Sequence, residues 1–264
     1  LEYHTVVLDT TSKKLTLSIK PDQKTYQPGD TVQLTLSIKD PSGKPVSASF
    51  NINVADQALL DTYQNDHDIV NALYGGISDF TQADTFASYR SFADNGGGEG
   101  GGQGDARRDF EDTPAFLTGK TNADGTASLS FTLSDRVTKW AIIAQAIDAN
   151  GQAGDTTETV TATSDFFISA DQTKTIKSTD DAVISLRCDG TAASGNVTTK
   201  ITLSRADKTV KELQKEHGAK ALVYFNFGKL EKGTYTVKIA SKNAAAQDAL
   251  SYSLTVADST LSVN

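Results

Sequence analysis

The chain contains no methionine, one cysteine and three histidines among its 264 residues, and each scarcity narrows what it can do. A lone thiol, Cys188, cannot close an internal disulfide. It sits in the alternating run Ile184, Leu186, Cys188 with no histidine nearby, which reads as buried filler rather than a reactive nucleophile. The histidines, His4, His67 and His217, lie far apart without metal-ligand spacing and read as surface residues. With no Gly-x-Ser-x-Gly elbow beside them, a Ser/His/Asp machinery is not expected, and we expect no enzyme. No run approaches the roughly 18 apolar residues of a membrane-spanning helix, and no basic leader with an apolar stretch opens the chain. With Leu1 in first place and methionine absent throughout, a piece of a longer polypeptide is expected, its targeting segment elsewhere.

An excess of positive charge is missing too. The net charge is −8 and the isoelectric point near 4.9, which argues against a nucleic-acid or anionic-membrane partner. The imbalance is local. No lysine occurs between Lys44 and Lys120, and Asp56 to Asp112 holds twelve acidic residues against three arginines, a net charge of −9. The acidity of the protein is therefore the acidity of one segment.

What is present is period-two alternation. Leu15, Leu17 and Ile19 alternate with polar residues, as do Val32, Leu34, Leu36 and Ile38, and then Val46, Ala48, Phe50, Ile52 and Val54. Each pattern predicts a strand with one buried and one wet face. Turn signals separate them at Gln27-Pro28-Gly29-Asp30 and Pro41-Ser42-Gly43-Lys44-Pro45. The alternation fades from Asp56, where Ala58, Leu59 and Leu60 suggest a short helix to Tyr63. It resumes with Ala127, Leu129, Phe131 and Leu133, then Trp140, Ile142, Ala144 and Ala146, and closes near Val160 to Ala162. Neither half offers enough strands alone, so the two are expected to complete one sandwich around an insertion.

Within that insertion Tyr63, Tyr74, Phe80, Phe86, Tyr89 and Phe92 are apolar enough to pack partly on the sandwich. Its last third is different. Residues 96–104 include seven glycines in nine positions, too little apolar surface to offset chain entropy, which predicts a mobile loop spanning about 15–18 Å as a coil. Two arginines, Arg107 and Arg108, follow it. A flexible loop gives proteases the extended segment they require, and arginine gives trypsin-like enzymes a side chain to grip. An ordinary surface loop has the same composition.

A second unit is expected from about Ser164. Ile184, Leu186 and Cys188 alternate, then Val197, Thr199, Ile201 and Leu203, then Val223, Phe225 and Phe227, then Val237 and Ile239, then Leu250, Tyr252, Leu254 and Val256. Leu230-Glu231-Lys232-Gly233-Thr234-Tyr235 matches the tyrosine corner of immunoglobulin-like sandwiches. The fold class expected is all-β: tandem Ig-like antiparallel sandwiches, residues 13–164 and 165–258, the first interrupted by a long, partly disordered insertion at 56–112. Residues 1–12 are read as the end of a preceding module or linker, and 259–264, with Leu261 and Val263, as the start of the next. Asp148-Ala149-Asn150 and Asp180-Asp181 offer oxygen ligands but lack the EF-hand spacing, so no metal or other cofactor is expected.

The order of short motifs around the insertion resembles the α2-macroglobulin family, whose chains are strings of macroglobulin β-sandwiches. Before it stand Tyr26-Gln27-Pro28-Gly29-Asp30, Gly43-Lys44-Pro45-Val46 and Val54-Ala55-Asp56-Gln57-Ala58-Leu59-Leu60. After it stand Arg108-Asp109-Phe110-Glu111-Asp112-Thr113-Pro114-Ala115-Phe116, Asp124-Gly125 and Ser134-Asp135-Arg136-Val137-Thr138-Lys139-Trp140. Ser164-Asp165-Phe166-Phe167 is similar to the family's lead into the next domain. Ser134 stands where the family favours proline, and no Cys-Gly-x-Gln thioester motif occurs.

The resemblance implies an extracytoplasmic fragment (secreted, cell-surface or periplasmic) of a bacterial member, a broad-spectrum protease inhibitor whose partners are endopeptidases and further macroglobulin domains. Asp56 to Asp112 would hold the bait region that proteases cut to trigger trapping. Arg90, Arg107 and Arg108 would then suit arginine-specific enzymes, and Phe92 and Phe86 chymotrypsin-like ones. The rival reading is an adhesin-type Ig-like scaffold binding a ligand through the acidic insertion.

Overall fold

The structure, a computed structural model, describes residues 10–62, 68–74 and 107–258. The chain divides into two compact units. Through their described residues, Leu1–Gly101, Glu111–Ser134 and Thr138–Ala162 make the first, and Gly102–Phe110, Asp135–Val137 and Thr163–Asn264 the second.

The first unit contains strands β1 (Thr16–Pro21), β2 (Thr25–Tyr26), β3 (Thr31–Lys39) and β4 (Ala48–Asp56), helices α1 (Gln57–Thr62) and α2 (Ile69–Tyr74), then strands β5 (Ala115–Lys120), β6 (Thr126–Thr132), β7 (Lys139–Asp148) and β8 (Ala153–Ala162). One sheet runs β1-β3-β6 and the other β2-β8-β7-β4-β5. Strands from before the insertion pair directly with strands from after it: Leu34 faces Leu129, and Ile52 faces both Leu117 and Ala144. The two halves close into one sandwich. Its core takes the alternating residues of both sheets, among them Leu36, Ile38, Ile52, Phe131, Leu133 and Trp140.

Alternation fails where both faces are covered. At the end of β4, Val54, Ala55 and Asp56 are all buried, as are Trp140 to Ala144 in β7. Helix α1 lies against these two strands, so their outer residues lose contact with water as well. Helix α2 docks on β8, with Val70 buried and Tyr74 donating its hydroxyl to the Gly151 carbonyl. The Asp68 carboxylate accepts from the Asn71 N–H at 2.8 Å and caps its first turn. Tyr74 thus packs as expected of the insertion's aromatics; Tyr63, Phe80, Phe86, Tyr89 and Phe92 lie outside the described residues.

The second unit contains β9 (Phe167–Ala170), β10 (Thr175–Lys177), β11 (Val183–Asp189), β12 (Asn196–Arg205), β13 (Lys208–Gly218), β14 (Val223–Asn226), β15 (Gly233–Lys242) and β16 (Gln247–Ala257). Its sheets run β10-β16-β15-β12-β13 and β14-β11-β9. Cys188 is fully buried between them, and burial pushes its thiol pKa up. The tyrosine corner is formed: Tyr235 is 2% exposed and its hydroxyl donates to the Glu231 carbonyl at 2.8 Å. His217, half-buried, bonds the Thr199 hydroxyl at 2.8 Å.

Strand β13 has no counterpart among the apolar patterns. Of its eleven residues only Leu213 and His217 are even half-buried. Lys211 and Lys215 reach from this edge to the carbonyls of Phe227 and Tyr224, beside the edge of the facing sheet. Charged residues on an edge strand discourage pairing with other chains.

Candidate functional site

The insertion leaves the first unit at the end of β4 and returns into β5, and these are neighbouring antiparallel strands. Val54 faces Ala115 across the ladder, and beyond it the Asp56 N–H donates to the Asp112 carbonyl at 2.8 Å. Both ends of a segment more than fifty residues long are therefore held at hydrogen-bonding distance.

Asp56 is the centre of this root. It is 2% exposed, and its Oδ1 accepts from the Ala58 N–H at 2.9 Å and from the Thr138 hydroxyl at 3.1 Å. The first bond starts α1; the second ties the outgoing limb to the segment leading into β7. Trp140, two residues on, sits opposite Asp56 in the ladder and is fully buried. Its indole N–H is the one fully buried side-chain N or O atom without a partner among the described residues.

The returning limb is fastened in the same way. Ser134, 1% exposed, donates its hydroxyl to the Glu111 carbonyl at 3.0 Å, while its own carbonyl accepts from the Gly29 N–H at 3.2 Å. The Gly29 turn is itself closed by Asp30, whose carboxylate accepts from the Gln27 N–H at 2.7 Å. Motifs scattered over more than a hundred residues of sequence thus meet at one place, and the Ser134 hydroxyl supplies a hydrogen bond that a proline there would lack.

Arg107 belongs with the second unit. Its N–H donates to the Ala249 carbonyl at 2.8 Å and its carbonyl accepts from the Ser251 N–H at 2.7 Å, a parallel bridge alongside β16. Its guanidinium holds the Asp248 carboxylate with both oxygens, Nη2 to Oδ2 at 2.7 Å and Nε to Oδ1 at 3.2 Å. The same group donates to the Ile168 carbonyl at 2.9 Å and the Asp135 carbonyl at 3.1 Å, and stands 5.7 Å from the Phe110 ring centroid. Only 14% of the Arg107 side chain and 13% of the Asp248 side chain are exposed. A bidentate, largely dry pair is the strong form of this interaction.

Arg108 is exposed, but its backbone is tied. The N–H groups of Arg108 and Asp109 both donate to Asp135 Oδ2, at 2.7 and 3.0 Å, and the Asp135 N–H donates to the Asp109 carbonyl at 2.6 Å. Sequence reasoning named Arg107 and Arg108, and Asp135 only as part of a motif; it paired none of them, and Asp248, 141 residues from Arg107, carries no spacing signal. The remaining cleavage candidates, Arg90 and Phe92, and the glycine run lie outside the described residues.

Asp148 is engaged in its own turn: its Oδ1 accepts from the N–H groups of Asn150 and Gln152 at 2.9 and 2.8 Å. Asp181 accepts from the Asn226 side chain at 3.2 Å. Among the described residues no three His, Cys, Asp or Glu side chains group as metal ligands would, and no helix is long and apolar enough to cross a membrane.

A family model described as the Alpha-2-macroglobulin family matches residues 113–187, from the returning limb into β11 of the second unit. Over this stretch the chain is similar to that family. The Alpha-2-macroglobulin of Ralstonia nicotianae is 30% identical over 161 residues, covering 54% of this chain and 10% of that protein. The Alpha-2-macroglobulin homolog of a Nostoc species is 27% identical over 157 residues, covering 54% of this chain and 8% of that protein. The chain therefore spans about a tenth of the length of these relatives.

Solved alpha-2-macroglobulin structures from Escherichia coli share the fold. The elastase-activated form covers 93% of this chain with a TM-score of 0.63 at 14% identity, and the trypsin-activated form 94% with 0.65 at 14%. This chain corresponds to 22% and 18% of those two proteins. The two sandwiches described above are macroglobulin domains in fold.

Proposed function

We propose that the chain is part of a bacterial, extracytoplasmic protease trap of the alpha-2-macroglobulin type, and that the insertion between β4 and β5 is the segment proteases cut. It acts as an inhibitor and not as an enzyme. Its partners are endopeptidases and further macroglobulin domains of the parent protein.

The observation that carries this reading is the root. The insertion starts and ends on one pair of hydrogen-bonded strands, and strands from both sides of it interleave in one core. A cut inside such a segment removes a covalent tie without removing any ladder bond of the sandwich. A trigger requires this separation, because the cut must be accepted quickly while the rest of the molecule stays folded to respond. Arg90 and the aromatics within the segment suit proteases of more than one specificity, which fits a broad-spectrum inhibitor.

Limited proteolysis of the folded protein with trypsin and with chymotrypsin, read by mass spectrometry, tests it. The earliest cuts are expected between Asp56 and Asp112, and accumulation of earlier cuts elsewhere would remove the bait assignment.

A further inference from the structure

We infer that Arg107 and Arg108 are not bait: with Asp248 and Asp135 they form a clamp that makes the downstream end of the insertion resistant to arginine-specific proteases. This rests on the bait reading for its biological sense, but the protection it claims is measurable by itself.

A serine protease takes its substrate as an extended strand, pairs with the backbone around the cut and draws one side chain into a pocket. Arg107 has none of these groups to give. Both of its backbone polar groups are bonded to β16, and its guanidinium is shared between the Asp248 carboxylate and the carbonyls of Ile168 and Asp135. The bond after Arg108 is restricted differently. Its side chain is exposed, but the Asp109 N–H on the far side of that bond is held by Asp135, and Arg107 lies directly upstream, where the enzyme's own strand would pair. Cleavage at either bond has to wait for the clamp to open, and its rate scales with the opened fraction.

Asp248 is the centre of the clamp. Its Oδ2 accepts from Arg107 Nη2 at 2.7 Å and from the Ile168 N–H at 2.7 Å, so one carboxylate joins the returning limb, β16 and the start of β9. Phe110, packed against the second unit's core, covers the guanidinium. Two basic residues after a glycine run look like an invitation to trypsin. Here they set the boundary beyond which cutting stops, so that the limb entering β5 keeps its attachment.

The test is site-resolved trypsinolysis of the intact protein, native and as Asp248→Asn, with a peptide spanning residues 103–113 as the unprotected reference. Cleavage after Arg107 in the native protein is expected at least a hundredfold slower than in the peptide. Asp248→Asn should accelerate it tenfold or more. Asp135→Asn, which leaves the Arg107–Asp248 pair in place, should accelerate the cut after Arg108 more than the cut after Arg107. A native protein cut after Arg107 at the peptide's rate overturns the clamp but leaves the bait assignment standing. So does an Asp248→Asn protein that melts cooperatively and shows no acceleration. First cuts outside Asp56 to Asp112 would undo the bait assignment while the rate at Arg107 still judged the clamp.

Discussion

Single residues show both how far sequence reasoning reaches and where it stops. Tyr235 was legible because its corner is local, a leucine and a glycine turn within five residues of the ring. Its hydroxyl bonds Glu231 only four residues back. Tyr235→Phe keeps the packing and removes that one bond, so the second unit should lose about 1 kcal/mol. Calorimetry should then show its transition about 4–8 °C lower, with the first unit's unmoved. Asp248 was illegible for the opposite reason. Its partner Arg107 is 141 residues away, and nothing near either residue in the sequence marks it as half of a pair. The function of an arginine beside a glycine run is decided by a carboxylate that only folding brings to it.

At the scale of elements, the strands that were readable are those with one wet face. β1, β3 and, as far as Val54, β4 alternate because one row of side chains enters the core and the other meets water. β13 escaped because nearly all of both its rows is wet, and β8 was read only at its end, Val160 to Ala162, because its middle, Asp155 to Thr159, carries no apolar residue. Turns were readable where backbone geometry forces the residue. Gly125 has φ of +73°, and a Cβ there would lie 2.5 Å from the Ile38 carbonyl oxygen and 3.0 Å from the Val46 nitrogen. Those are backbone atoms of β3 and of the β3–β4 connection and cannot swing aside as a side chain tip would. Gly125→Ala should therefore cost the first unit about 2 kcal/mol or more, measured by urea unfolding with Trp140 fluorescence. A loss under half of that would mean the turn shifts more freely than its contacts suggest.

For the whole molecule, composition located the insertion and patterning located the two sandwiches, while the interleaving of strands across the insertion followed from counting strands on each side. The unit's response to pH follows from its turns. Asp22, Asp40 and Asp124 all titrate below the ordinary value of 3.8, held down first by hydroxyl donors from Tyr26, Ser42 and Thr126 respectively. Their folded forms give up protons more readily than their unfolded forms, so the stability they add is present above about pH 4 and lost as pH falls through the lowered values. Tyr26 works in the other direction: burial, and then the Asp22 carboxylate, push its pKa from 10.0 up to about 12, so stability falls as pH climbs through that window. Unfolding of the first unit, followed through its single, fully buried tryptophan, should show a plateau between these limits and a decline on either side. Shared strands also uncouple covalent continuity from physical integrity. A nicked first domain consists of two polypeptides, each contributing roughly half of a common interior. Losing the peptide link between them turns an intramolecular fold into a tight heterodimer of its own fragments.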